Sequence, residues 1–208
     1  MNLSNSHHLF SLQTTLRQQM RRFRKSLSEQ AQQMAGQALK EHVLKLSSVT
    51  QAKHIALFLS FDGEINTAPL ITALWQQQKS IYLPLIHPFT PHQLLFIAYR
   101  PDTPLIAGPF GILRPQLDIR HLVAASQLDI IFTPLVVFDK RGYRIGMGGG
   151  YYDRLLADYH KQSFLPIGLA HDCQQIESVP NHPWDIQLPQ IVTDKQHIII
   201  NHQNSSRR

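Results

Sequence analysis

Two apolar runs constrain this chain more than anything else in it: "HIALFLSF" (His54 to Phe61) and "DIIFTPLVVFD" (Asp129 to Asp139). Both are far too short to cross a bilayer. Neither shows the alternation of a strand with one wet face. Runs of this kind are strands buried on both sides, which requires a sheet covered by helices above and below. Further strand segments follow the same logic: "SIYLPLI" (Ser80 to Ile86), "QLLFIAY" (Gln93 to Tyr99), "LPIGLAHD" from Leu165, and "HIII" (His197 to Ile200). Between them lie helix signals. Thr67 caps a segment with Pro69 in its first turn that runs to about Gln78. A second runs from Tyr151 to about Tyr159, and a short one covers Leu117 to Ala125. The expected fold class is therefore α/β: a single-domain, open, mostly parallel sheet with helices on both faces, Rossmann-like and three-layered. Ligands on such sheets bind beyond the carboxyl ends of the strands.

An N-terminal helical pair precedes the sheet, over residues 10–47. From Leu12 to Lys25, Leu16, Met20, Phe23 and Leu27 recur at helical spacing and predict a buried face. Arg17, Arg21 and Arg24 repeat that spacing one position on, as a basic stripe expected to be solvated. Ser26 and Glu29 have capping-box spacing, with Ser28 as a competing N-cap. The second helix runs to about Lys45, with Ala31, Ala35, Leu39, Val43 and Leu46 inward. Residues 1–200 are expected to form one catalytic domain, and residues 201–208 a disordered polar tail.

The net charge of +6 is concentrated: Arg17, Arg21, Arg22, Arg24, Lys25, Arg207 and Arg208 carry it, and the other 13 basic residues face 14 acidic ones. A near-neutral body argues against a broad nucleic-acid surface and for a local anion site near the N-terminus. The single cysteine, Cys173, excludes an internal disulfide framework and is expected to be a small, mostly buried residue. The N-terminus lacks a signal-peptide pattern. These features predict a cytoplasmic, monomeric protein with small-molecule partners, no nucleic acid and no membrane.

After the second apolar run comes "RIGMGGGYYDR" (Arg144 to Arg154). Gly146, Gly148, Gly149 and Gly150 clear side chains from where a backbone must approach a ligand. Consecutive amides followed by a helix start form an anion nest, with Arg144 and Arg154 as flanking counter-charge. No Gly-Lys-Ser/Thr closes the loop, so it is not a Walker A motif, and the acid expected of a dinucleotide fingerprint is missing. A flexible glycine turn remains the alternative. Asp153, in the first helical turn, suits the helix dipole or a Mg²⁺ beside phosphates.

The segment "TPLVVFDKRGYRIGMGGGYYDRLL" resembles the signature of the 5-formyltetrahydrofolate cyclo-ligase family, also called 5,10-methenyltetrahydrofolate synthetases. "LRQQMRRFRKSLS", "ALFLSFDGEINTAPLI", "YLPLI", "PFGILRP" and "WDIQLPQIVTD" resemble its other segments, in the family's order, from about Leu12 to about Asp194. The resemblance implies an ATP- and Mg²⁺-dependent ligase that cyclises 5-formyltetrahydrofolate to 5,10-methenyltetrahydrofolate through a phosphorylated formyl group. It implies ATP contacts from Gln13, Arg17, Arg144, Ile145, Gly146, Met147, Gly148, Gly149, Gly150, Tyr151 and Tyr152, with Arg144 and Tyr151 catalytic. Folate contacts would come from Leu59, Glu64 and the Met147 to Tyr151 stretch, and the metal ligands would be Asp153 and Asp185. Gln13 departs from the family, which often has a lysine there, and brings no charge.

Other signals are weaker. His171, Cys173 and His182 match no zinc spacing, although His171 and Asp172 end a strand at the ligand edge, where a substrate contact is conceivable. No Gly-x-Ser-x-Gly elbow is present. A non-catalytic RNA-associated protein using the basic helix, or a sugar-phosphate or CoA enzyme, are the competing readings. The first conflicts with the near-neutral body, and the second leaves Glu64 without a role.

Overall fold

The computed structural model describes residues 3–108, 111–182 and 184–200, with side chains from His8 onward. The expected polar tail at 201–208, and Pro109 and Phe110 of the "PFGILRP" segment, lie outside the described residues.

Helices α1 (Leu3–Lys25), α2 (Glu29–Leu44) and α3 (Ser47–Gln51) lead into strand β1 (His54–Ala56) and helix α4 (Ala68–Gln76). Strands β2 (Ser80–Ile86), β3 (Leu94–Tyr99), β4 (Leu105–Ala107), β5 (Leu113–Pro115), β6 (Leu122–Val123), β7 (Ile130–Pro134), β8 (Val137–Phe138) and β9 (Arg144–Ile145) follow. Helix α5 (Tyr151–Leu156), then β10 (Leu165–Ala170), β11 (Gln190–Thr193) and β12 (His197–Ile199), complete the chain. The main sheet has eight strands in the order β12-β11-β10-β7-β1-β2-β3-β6. Its middle, from β11 to β2, is parallel, and β12, β3 and β6 pair antiparallel at the edges.

Successive residues of the central strands point to opposite faces. Ile55, Ile130, Phe132, Ile167 and Leu169 pack with Ala35, Leu39 and Val43 of α2 and Leu70, Ile71 and Leu74 of α4. Ala56, Ile131 and Ala170 look the other way and pack with Leu156 of α5, Tyr159 and Phe164. This is the three-layer α/β fold expected. A third cluster, Val136, Val137, Ile145 and Val179, receives Leu16 and Met20 and docks α1 against the β8–β9 hairpin.

Several boundaries differ from expectation, each for a local reason. The run to Phe61 is a strand only through Ala56. Thr67 donates from its hydroxyl to Phe58 O at 2.7 Å and from its amide to Ser60 Oγ at 2.9 Å, folding the chain back instead of capping α4. The run to Asp139 breaks at Pro134, where β8 leaves the main sheet to pair with β9. The carbonyls freed by the break are met by side chains, Gln174 donating to Leu135 O and Val136 O at 2.9 Å each. The expected helix over Leu117 to Ala125 is a 3-10 turn (Ile119–His121) capped by Asp118 and then β6, because Leu122 and Val123 pair with Ile97 and Phe96. Helix α5 stops at Leu156, and α1 is longer than expected. Ser28, not Ser26, caps α2, accepting from Ala31 N at 3.2 Å. Strand β11 and the two small hairpins had no sequence signal.

Two burial expectations are overturned. Phe23 is 50% exposed, whereas Arg24 is 0% exposed. Cys173 is exposed rather than mostly buried, because its 3-10 turn (Asp172–Gln174) sends His171 and Gln174 inward instead.

Candidate active site

The glycine loop joins β9 to α5 at the edge where β1, β7 and β10 end. Gly148 and Gly150 have φ of 98° and 68°, which a side chain would resist. The loop's carbonyls are occupied: Arg17 Nε donates to Gly146 O at 2.7 Å, and Arg154 Nη1 donates to Gly150 O at 3.0 Å and Gly149 O at 3.4 Å. His92 Nδ1 lies 3.1 Å from Gly149 O, and its ring meets Tyr151 at 5.8 Å. Among the described residues, no hydrogen bond uses the amides of Met147 to Gly150 as donors. The loop's carbonyls are thus paired with guanidinium groups, while these N–H groups have no acceptor among the described residues.

Beneath the loop, Arg144 is buried, donating from Nη2 to Asp153 Oδ1 at 2.6 Å and from Nη1 to Ile186 O at 2.8 Å. Burial pulls its pKa down, and the charges of Asp153 and Asp185 oppose that. Asp185 Oδ2 also accepts from His182 N at 2.8 Å, so this acid does cap a turn. The structure therefore puts both predicted metal ligands beside one buried guanidinium. Among the described residues no three His, Cys, Asp or Glu side chains are grouped to hold a metal. Two hard carboxylates nevertheless suit Mg²⁺, which takes one or two protein carboxylates and completes its shell with phosphate and water. Gln13 Nε2 donates to Pro180 O at 2.8 Å, tying α1 to the loop that carries Asp185.

Behind the loop lies a second, buried charge system. The turn after β1 passes through Asp62 and Gly63, both with positive φ (53° and 75°), and brings Glu64 inward. Asp62 is gripped by Arg21 (2.6 and 3.0 Å), by Arg24 (3.1 Å) and by Lys25. Arg21 foremost, with Lys25 and Arg24, holds its carboxyl well below the usual range. Glu64 is 7% exposed, accepts from Phe61 N at 3.3 Å, and stands 3.9 Å from Arg24 Nη2. Burial pushes its carboxyl up to about 7, partly opposed by Arg24. Arg24 continues to Leu135 O at 3.3 Å and Met147 Sδ at 3.9 Å. The Tyr152 hydroxyl is pushed upward by burial and by Glu64, which places it in the same group. Half-buried Leu59 packs on the adjoining core.

The two sets of predicted residues thus meet at Arg24, which stands between Met147 of the loop and the buried carboxyl of Glu64. Sequence reasoning missed Arg24 as an individual and missed His92. The first had a signal in the stripe spacing with Arg17 and Arg21, the second had none. His171, 2% exposed, directly follows the end of β10, and its buried Nε2 has no hydrogen-bond partner among the described residues.

Comparison with known proteins agrees with this geometry. The family described as the 5-formyltetrahydrofolate cyclo-ligase family matches residues 11–194. A relative from Haemophilus influenzae named 5-formyltetrahydrofolate cyclo-ligase is 50% identical over 83% of this chain and 92% of its own. One of the same name from Escherichia coli K12 is 44% identical over 84% and 96%. The NMR structure of Aquifex aeolicus 5,10-methenyltetrahydrofolate synthetase superposes with a TM-score of 0.78 at 29% identity, covering 95% of this chain and 97% of that one. A 5,10-methenyltetrahydrofolate synthetase from Mycoplasma pneumoniae gives 0.69 at 26% identity, covering 88% and 98%. With the parallel middle of its sheet, its glycine loop and its buried acid all inside the matched segment, the chain belongs to the 5-formyltetrahydrofolate cyclo-ligase family of enzymes.

Proposed function

We propose that the protein converts 5-formyltetrahydrofolate to 5,10-methenyltetrahydrofolate, consuming ATP with Mg²⁺ and releasing ADP and phosphate. The observation that carries this is the adjacency of an unpaired-amide loop, the Gly146–Gly150 segment, to a buried carboxylate, Glu64, with Arg24 between Met147 of the loop and that carboxyl. A formamide oxygen is a poor leaving group. In the proposed reaction that oxygen takes the terminal phosphoryl group of ATP, N10 attacks the activated carbon and loses its proton, and phosphate leaves as the ring closes. Such a transfer depends on alignment and charge neutralisation rather than on a protein nucleophile.

In this reading the amides of Met147 to Gly150 face the phosphates. Arg17, also held on Gly146 O, supplies cationic charge beside them. Arg144 holds Asp153 and the loop base in place from below, and Tyr151 closes the loop side against the reacting groups. Ile145 supports the loop from the hairpin core. Mg²⁺, when bound, spreads phosphate charge, and Asp153 and Asp185 are the residues that would hold it. Glu64 accepts from the pterin amide and amino donors in a paired geometry, and Leu59 contributes apolar wall. Gln13 holds the rim loop rather than supplying charge. The test is formation of methenyl-folate absorbance from 5-formyltetrahydrofolate. It should require both ATP and Mg²⁺, with one ADP per turnover. Product formed without ATP, or none formed with it, overturns the assignment.

A further inference from the structure

One peptide of the glycine loop, between Gly149 and Gly150, is held by a side chain 57 residues away in sequence: His92 Nδ1 lies 3.1 Å from Gly149 O. A carbonyl oxygen only accepts, so the ring carries its proton on Nδ1 and donates. The other contact of that oxygen, from Arg154 Nη1, is longer at 3.4 Å, and the same nitrogen donates to Gly150 O at 3.0 Å. The His92 ring also meets the Tyr151 ring at 5.8 Å. The turn joining β2 to β3 brings His92 to this place and is tied from within. His87 N donates to Gln93 O at 2.9 Å, and His87 Nδ1 accepts from Phe89 N at 3.1 Å and Thr90 N at 2.9 Å. His92 itself has a φ of 61°, which Gly and Asn adopt more readily than most residues.

A trans peptide carries its C=O and its N–H on opposite sides of one rigid plane. Whatever holds Gly149 O therefore fixes where the Gly150 N–H points. Between two glycines no Cβ opposes rotation of that plane. A rotated plane would turn an oxygen, instead of an N–H, toward an anion, and the two repel. The Gly150 N–H has no acceptor among the described residues, so no bond of its own keeps it in place. We propose that His92 is a positioning residue for the reaction: by clamping Gly149 O, it keeps the Gly150 amide turned toward the phosphates. This rests on the ATP-dependent reading above and adds to it a contributor from the β2–β3 turn.

Two variants separate the hydrogen bond from the ring. His92→Gly removes the donor and keeps the positive φ without strain. His92→Asn tolerates the same φ and returns an N–H at the place of Nδ1. In calorimetry, His92→Gly should weaken Mg-ATP and Mg-tripolyphosphate by the same factor, about threefold to tenfold, because one neutral bond is lost and only the correctly turned fraction binds. His92→Asn should restore both affinities. In protein isotope-labelled at glycine nitrogen, the Gly150 amide should give a single sharp resonance in wild type and in His92→Asn, and a broadened or doubled one in His92→Gly. Unchanged phosphate affinity in His92→Gly, or no rescue by asparagine, overturns the clamp. Weakening confined to Mg-ATP also overturns it, since the ring would then touch the nucleoside directly. A wild-type protein that binds neither ligand removes the ATP reading instead. The clamp is then judged by the Gly150 resonance, and a single sharp line in His92→Gly overturns it.

Discussion

Replacing Glu64 with glutamine should stabilise the protein at pH 8 while depriving the pocket of its anion. The carboxyl lies at about 7 against an ordinary 4.5, because burial disfavours its charged form more than Arg24 favours it. Between those two values the folded chain retains a proton that the unfolded chain has released. Stability therefore falls as pH rises through that window and levels off above it. At 1.36 kcal/mol per tenfold change in proton affinity, the decline amounts to about 3 kcal/mol. Glutamine is nearly isosteric, still accepts from Phe61 N, and never ionises, so the decline should disappear. In thermal melts without folate, wild type and Glu64→Gln should agree near pH 4.5, and by pH 8 the variant should melt roughly 5–10 °C higher. The same variant should raise the KM for 5-formyltetrahydrofolate about tenfold or more, because a charge-assisted bond to the pterin donors is weakened. Two melting curves that stay parallel from pH 4.5 to 8 would refute the burial argument. A gain in stability without loss of folate affinity would refute the pocket assignment and leave the electrostatics intact.

Arg24→Met should cost about 3–5 kcal/mol in urea unfolding, since it removes the buried cation beside Asp62 and Glu64 and the donor to Leu135 O; a loss below about 1 kcal/mol would mean the charge is dispensable. In Gly149→Val, the new Cβ falls 2.6 Å from the Tyr151 ring, so the ring must swing. Calorimetry should show Mg-ATP affinity reduced roughly tenfold or more through lost amide contacts, and unchanged affinity would sink the nest argument. Asp153→Asn keeps an acceptor for Arg144 but removes the charge beside that buried guanidinium, so the melting temperature should fall moderately. Turnover should fall and the Mg²⁺ concentration for half-activity should rise, and an unaltered Mg²⁺ dependence would remove this residue from the metal site.

The layers of the fold were legible because they rest on coarse periodicity. Fully apolar runs mark strands with helices on both sides, and Ser80–Ile86 was readable to the residue. The same coarseness hid where strands end. Thr67 folds the chain back through a turn onto Phe58 and Ser60, and after Pro134 the freed carbonyls of Leu135 and Val136 are met by Gln174, far along the sequence, so periodicity marks neither break. On the site side, glycine spacing carried its own signal, whereas Glu64 was marked only by the resemblance of its segment. The inversion of α1 carried none: an apolar moment assigns Phe23 inward and Arg24 outward, but Asp62 and Glu64 lie in the space that Arg24 enters, and buried acids outweigh the pattern. His92 reaches Gly149 from a hairpin turn with no motif.

Helix α1 is made first and completed last. Its Arg17 contact spans 129 residues of sequence and its Gln13 contact 167. During synthesis the helix must therefore wait, its cationic stripe unsatisfied, until nearly the whole chain has emerged, although Asp62 can engage Arg21 and Arg24 much sooner. The Asp62 ion pairs can thus form early, but the enclosure of Glu64 waits for Met147 and the Arg17 contact waits for Gly146, so both halves of the proposed site depend on one loop. A chain cut short before that loop would hold the Asp62 cluster with neither half of the proposed site, and a single segment late in the chain would complete both at once.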